Sequence, residues 1–332
     1  MIQQKAARIV PGPIAQKFMR SLEKYTKQKV ININDWKSAK SYSEKLERFH
    51  QAKNLSHLDP VHAVYMDMQH HIADFIELFS NLPESRKLNQ TFERAEAMYM
   101  PSGPPMSPIT RSYFTCWTAF DMAVGIKRET YATIMHHFCT ALGAHANFLQ
   151  VLRCMQQSRM GLYIVENNDT SFVYLREIYT NKIVKTYVAD SYLGLPGEIW
   201  LVRLLPDPTG SYCDYSVAFT TPYIIIDFPL GKSMPENFEE LIYSEESWIQ
   251  FIERNLQHSK HKDKEQAYNQ FMKYGLTNLY WPEYIFQAYV NHKPNMILLT
   301  GFPDKPETLP HANDNYNQCL NEKKRNALKA GD

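Results

Sequence analysis

GLYIVENNDTSFVYLREIYTNKIVKTYV (residues 161–188) and GEIWLVRLLPDPTGSYCDYSVAFTTPYIIIDF (residues 197–228) decide the fold. Six short runs rich in Val, Ile, Tyr and Phe read as β-strands: Leu162–Glu166, Ser171–Ile178, Ile183–Val188, Glu198–Leu204, Tyr215–Thr220 and Tyr223–Phe228. Turn residues separate them, at Asn167-Asn168-Asp169, Thr180-Asn181-Lys182, Gly194-Leu195-Pro196-Gly197 and Asp207-Pro208-Thr209-Gly210. Short connections imply antiparallel neighbours. Six short strands imply a small barrel or a strongly bent sheet, because closure removes exposed edges. Trp200, on a strand, packs inside the barrel or on its face.

The flanks read as helical. Asp59 is placed to cap a helix over 60–80 opened by Pro60, with Val61, Val64, Tyr65, Met68, Ile72, Phe75 and Phe79 as its apolar stripe. A further helix covers 88–98, and Met100–Pro108 holds four prolines and a glycine, which makes a stiff loop. Residues 112–125 read as a buried helix ending near Gly125, and 129–157 as the longest helix of the chain. Beyond the strands, Trp248, Phe251, Ile252 and Leu256 define one helix. Ala267, Phe271 and Met272 define a second, stopped at Gly275, and Pro282 opens a third through Tyr289. Asn295–Thr300 reads as a strand or extended buried segment, followed by a polar tail.

The expected architecture is α+β: a helical N-terminal domain, a small antiparallel β-barrel-like module and a helical C-terminal cap. The boundaries are a basic arm at 1–54, a helical domain at 55–158, the β module at 159–230, the cap at 231–302 and the tail at 303–332.

Composition excludes some function classes. The chain has 332 residues and a net charge of +1, so overall charge does not drive it onto nucleic acid or membrane. Residues 1–54 carry twelve Lys/Arg against four Asp/Glu, whereas 161–228 carry four against eight. That acidic balance opposes phosphate contacts by the β module, despite Phe172, Tyr174, Tyr179, Tyr187, Trp200, Tyr215 and Phe219. Five cysteines with no C-x-x-C pair indicate neither a disulfide framework nor a cysteine zinc site. Lys5 and Arg8 oppose a secretory signal, and no apolar run approaches a membrane span, so a reduced, cytoplasmic protein is expected.

Three sets of residues could carry chemistry. Asp67, His71 and Asp74 are spaced i, i+4, i+7 on the 60–80 helix and share a face. A His between carboxylates suits a metal site or a general base, and ordinary helix-surface pairing explains the same pattern. His136, His137 and His145 point apart on one long helix, with His145 near the centre of its apolar stripe, and do not converge on a metal. Arg111, Trp117, Asp121 and Arg128 surround the proline-rich loop. Asp121 needs a cation if buried, from Arg111 or Arg128, as a salt bridge or an anionic-ligand site. Arg159, where the chain leaves the long helix at Arg159-Met160-Gly161, joins Arg111, Trp117 and Asp121 as a ligand-binding candidate at the mouth of a cleft. Cys116 and Cys139 read as small core residues.

From about residue 107 to 312 the chain resembles a group of uncharacterised bacterial proteins. The resemblance is carried by Ser107-Pro108-Ile109-Thr110 with Ser112-Tyr113-Phe114-Thr115-Cys116-Trp117, by Ser158-Arg159-Met160-Gly161, and by Pro196-Gly197-Glu198-Ile199-Trp200-Leu201-Val202-Arg203-Leu204-Leu205-Pro206. It continues through Thr220-Thr221-Pro222-Tyr223, Tyr284-Ile285-Phe286-Gln287-Ala288-Tyr289 and Gly301-Phe302-Pro303-Asp304. That group has no assigned activity, so the resemblance implies no catalytic residue and no cofactor.

The leading functional expectation is a cytosolic binding protein for a protein or small ligand. The alternatives are a metal- or acid/base-dependent enzyme using Asp67, His71 and Asp74, and nucleic-acid binding through residues 1–54.

Overall fold

The computed structural model describes residues 9–27, 58–99, 111–189, 192–226, 245–257, 259, 261–274, 289–292 and 297–300. The readings of the arm beyond Lys27, the loop at 100–108, the Gly275 stop, the Pro282 helix start and the tail lie outside the described residues. The chain divides into two compact units, Met1–Gln90 with Ala123–Gln156, and Thr91–Met122 with Gln157–Asp332. No described helix is long and apolar enough to cross a membrane.

The first unit is helical. It holds α1 (Pro13–Lys27), α2 (Pro60–Ser80), the start of α3 (Arg86–Tyr99), α5 (Tyr131–Ala141) and α6 (Ala146–Gln157). Asp59 caps α2 by accepting from the Val61 and His62 amides at 2.9 and 3.0 Å, and Pro60 supplies a preset φ without needing a donor partner. The buried stripe of α2 is Val61, Tyr65, Met68, Ile72, Phe75 and Phe79, whereas Val64 lies outside it at 43% exposure. Phe18 of α1 fits among Phe75, Phe79 and Phe138 at centroid distances of 6.3, 4.9 and 5.5 Å. Each of the buried rings Phe18, Phe75 and Phe79 contributes about 1.5–3 kcal/mol through loss of apolar surface from water.

The single helix expected over 129–157 is two helices. The chain breaks after α5, where Gly143 takes φ +74, a conformation that excludes a continuing helix. His145 is therefore exposed, not part of an apolar stripe, and its Nδ1 accepts from the Asn147 amide at the start of α6. The helix expected over 112–125 also ends early. α4 (Arg111–Cys116) passes into a π-helical segment, Trp117–Asp121, closed by the Met122 amide on the Trp117 carbonyl at 2.8 Å. The Thr118 hydroxyl bonds the Phe114 and Thr115 carbonyls, giving those acceptors a second donor where the turn widens.

The second unit is built on the β module. Its strands are β1 (Met160–Asn168), β2 (Phe172–Glu177), β3 (Ile183–Tyr187), β4 (Ile199–Pro206), β5 (Ser216–Ala218) and β6 (Tyr223–Ile226). The order β1-β2-β3-β5-β4 closes because β4 also pairs with β1, from Met160↔Arg203 to Ile164↔Ile199. The protein is thus α+β with a five-stranded closed barrel. The all-antiparallel expectation is corrected at β3 and β5, which run parallel through Thr186↔Ser216 and Tyr187↔Val217. β4 intervenes between them in sequence and pairs elsewhere, so β5 arrives in the direction of β3. This connectivity, with a bulge in β1 between Val165 and Asn167, is that of an OB-type Greek-key barrel.

The second edge of β4 splits between two partners: Ile199–Leu201 pair with β6 and Leu204–Pro206 with β5. β6 continues the sheet outward to parallel β8 (Ile297–Thr300), which pairs with β7 (Tyr289–His292). The strand read near 295–300 is therefore present, whereas Tyr289 lies in a strand and not in the helix expected to reach it. Tyr163, Val165, Val173, Leu175, Val188, Trp200, Val202 and Ile224 pack into one core, and Trp200 is fully buried in it. These side chains fill the inside of the barrel.

Among the described residues that follow are α7 (Glu245–Leu256) and α8 (Lys264–Tyr274). α8 meets the barrel at the β2–β3 hairpin. The Tyr268 ring lies tilted against Tyr179 at 4.8 Å, its hydroxyl donates to Glu177 at 3.3 Å, and Glu265 pairs with Lys182. Glu245 of α7 takes the Arg176 guanidinium in a two-pronged contact at 2.7 and 3.1 Å. The hairpin end of the β2–β3 face is thus occupied by helices.

Candidate functional site

His71 Nε2 lies 3.6 Å from Asp67 Oδ2 on the partly exposed side of α2, and the His71 ring meets Phe148 edge-on at 5.4 Å. Asp74 is one turn further along, and no group of three or more His, Cys, Asp or Glu among the described residues is arranged to hold a metal. His136 is buried and its ring meets His137 at 5.9 Å. Burial, then the Arg153 charge, pushes the His136 pKa down to about 4. The side chain of Arg111 lies outside the described residues, and Arg128 is exposed in a turn at φ 50.

Asp121 is buried, and its partners are not Arg111 or Arg128. Arg203 Nη2 contacts Oδ2, and Lys273 Nζ donates to Oδ1 at 3.0 Å. Both cations also donate to the Ser158 carbonyl, at 2.9 and 2.7 Å, and Arg203 reaches the Ser158 hydroxyl at 2.8 Å. Arg159, the next residue, pairs with Glu177 at 2.8 Å, donates to Asn269 at 2.8 Å and lies over the Tyr268 ring at 4.8 Å. Burial pushes the Lys273 pKa down to about 8 despite Asp121 beside it, and pushes the Cys116 thiol up to about 12. Trp117 is buried against Phe114 at 6.0 Å. These groups face one another in the interior and tie α8 to the barrel and to the π segment. The polar atoms of Asp121 and Arg159 are engaged by protein.

At the opposite end of the β2–β3 face several aromatic side chains are partly exposed. Val173, Leu175 and Thr186 point inward and are fully buried, so alternation turns Phe172, Tyr174, Lys185 and Tyr187 outward. The register sets Phe172 across from Tyr187 and Tyr174 across from Lys185. Tyr215, just before β5, completes a triangle of rings: Phe172–Tyr187 6.3 Å, Phe172–Tyr215 5.1 Å and Tyr187–Tyr215 6.4 Å. All three are partly exposed. Lys185 Nζ sits 4.5 Å above the Phe172 ring and 3.1 and 3.2 Å from the Asp214 oxygens. The hydrogen bond from Lys185 to Asp214 is the main cause that raises the lysine pKa above its ordinary value.

Two loops with carboxylate–amide hydrogen bonds border the triangle. In the β1–β2 turn, Asp169 accepts from the Ser171 and Phe172 amides, each at 2.9 Å, which lowers its pKa. In the β4–β5 loop, Asp207 accepts from the amides of Thr209, Ser211, Tyr212 and Cys213 at 2.6–3.2 Å. Burial alone would raise the Asp207 pKa, but these donors outweigh it and the net shift is downward. One carboxylate thus satisfies most of the loop backbone and holds up Tyr212, 66% exposed, and Asp214, with a side chain 79% exposed.

Composition alone shows that the β module is rich in aromatics. It does not show which rings share a face, because inward and outward positions interchange with a one-residue change of register. The alternation Phe172-Val173-Tyr174-Leu175 was the available signal. Comparison with protein-family models, with curated proteins and with solved structures finds no match.

Proposed function

We propose that the protein is a binding protein that recognises its ligand on the outer β2–β3 face, between the β1–β2 and β4–β5 loops. The observation that carries this reading is the triangle of Phe172, Tyr187 and Tyr215, partly exposed beside Lys185 and Asp214, on a barrel whose interior is filled. Rings on a rigid sheet offer stacking surface with little ordering cost, since their backbone is already fixed. The loop held by Asp207 adds a prepared rim. Ring faces beside a paired cation and carboxylate offer stacking and hydrogen bonding, which is the chemistry of binding.

The test is native electrophoresis in gels containing starch, xylan, galactomannan or single-stranded DNA. The wild-type chain should be retarded by at least one polymer, and F172A/Y215A should migrate unretarded while keeping its circular dichroism. Equal retardation of both proteins would move the binding surface elsewhere. Retardation in none of the gels would remove the reading.

A further inference from the structure

We propose a second ligand site, in the first unit and independent of the β2–β3 face: the cleft between the start of α1 and the end of α5 binds a small monocarboxylate with an apolar body, its head group held by Arg20 and His137. Pro11, Gln16, Met19, Arg20, His137 and Ala141 line a cavity of about 480 Å³ there. Sites for small molecules run from about 300 to 1,000 Å³, with largely apolar walls and a few polar groups that fix orientation. Pro11, Met19 and Ala141 supply the apolar wall, and Arg20 and His137 the orienting groups. The wall is fixed by the fold. The buried Glu129 carboxylate takes the Ile14 and Ala15 amides at 3.0 and 2.8 Å, which ties the start of α1 to the residue that leads into α5. Gln16 Nε2 donates back to the Pro11 carbonyl at 3.2 Å and closes the rim.

Charge selects the head group. Of the six lining residues, Arg20 alone carries a permanent charge. Its Nε donates to the Gln16 carbonyl one turn earlier at 3.4 Å, and among the described residues no carboxylate pairs with its guanidinium. One guanidinium fork matches one carboxylate. Burial lowers the His137 pKa against the Val10 carbonyl and the Glu129 charge, so near pH 7 the ring offers a hydrogen bond and not a second charge. A phosphate would gain a further set of donors from a helix N-terminus, but Glu129 already occupies the α1 amides at Ile14 and Ala15. His137 Nε2 is buried without a hydrogen-bond partner among the described residues, and so are both ring nitrogens of the adjoining His136, whose ring meets it at 5.9 Å. An unpaired buried nitrogen costs free energy that a ligand oxygen recovers.

Four probes with one apolar chain and different heads test this. Binding of octanoate, octyl phosphate, octanol and octyltrimethylammonium to the full chain is measured by calorimetry, below the concentrations at which they form micelles. The expected result is that octanoate binds, and that octanol and octyltrimethylammonium bind more weakly by about tenfold or more. Arg20 is exposed, so R20Q keeps the fold, checked by circular dichroism, and should weaken octanoate about tenfold. H137F should weaken octanoate without lowering Tm, because it removes an unpaired buried nitrogen. Octanoate bound equally by wild type and R20Q would overturn the inference. Octyl phosphate or octanol bound more tightly than octanoate would do so too, as would binding of no probe. Unchanged octanoate affinity in H137F would overturn the contact assigned to His137. F172A/Y215A should bind octanoate as the wild type does. Loss of octanoate binding in that variant would place the ligand on the β2–β3 face, overturning this inference and leaving the reading of that face in place.

Discussion

Lys273 Nζ lies 3.0 Å from Asp121 Oδ1, two residues separated by 152 positions in the chain and both buried. Arg203 contacts the other oxygen of the same carboxylate. One anion thus holds two cations in an interior where an unpaired charge is expensive.

This asymmetry ranks the substitutions. D121N leaves two buried cations without an anion and should destabilise the second unit by about 3–5 kcal/mol. K273M leaves Asp121 paired with Arg203 and should cost much less. Urea unfolding followed by tryptophan fluorescence reads both, because Trp117, Trp200 and Trp248 are buried in this unit. Equal losses from the two variants would mean that Asp121 does not anchor the group.

Lys273 also predicts a pH dependence. Its folded pKa is about 8, below the ordinary 10.5. Between those values the unfolded chain binds the proton and the folded chain does not, so this residue makes stability rise with pH across that window. Cys116 acts oppositely. Its folded pKa is pushed up to about 12 from 9.0, so the unfolded thiol ionises first and stability falls above pH 9. The difference between wild type and K273M isolates the lysine: it should grow in favour of wild type from about pH 8 to pH 10. A difference that stays flat over that range would show that Lys273 keeps an ordinary affinity for its proton.

Glu129 predicts a local effect in the first unit. Its carboxylate accepts from the Ile14 and Ala15 amides at 3.0 and 2.8 Å, satisfying the start of α1. Gly12 lies so close that an added Cβ would fall 2.2 Å from the Glu129 Cδ. E129A should cost about 1–2 kcal/mol and speed hydrogen exchange at Ile14 and Ala15 more than at α2 amides. G12A should displace the same carboxylate and produce the same pattern. Unchanged exchange at both amides in E129A would show that α1 is held by Phe18 packing alone.

How much of this was legible in the residues depends on the range of the interaction. Asp59-Pro60 announces a helix start because cap and helix are neighbours in the chain. The alternation at 172–175 announces a half-buried strand for the same reason. The need of Asp121 for a cation was equally plain, since a carboxylate in an apolar run must be paired. Which cation was not, because Arg203 and Lys273 lie 82 and 152 residues away.

Local chemistry therefore settled the α+β class and the presence of a small barrel, but not the helix break at Gly143 or the strand at Tyr289. Packing settled the rest. The parallel β3–β5 pairing, the division of β4 between β5 and β6, and the gathering of Phe172, Tyr187 and Tyr215 on one outer face arise when the barrel closes. Closure brings segments together through hydrogen bonds and burial that no short stretch contains, and so the position of the candidate site belongs to the folded chain.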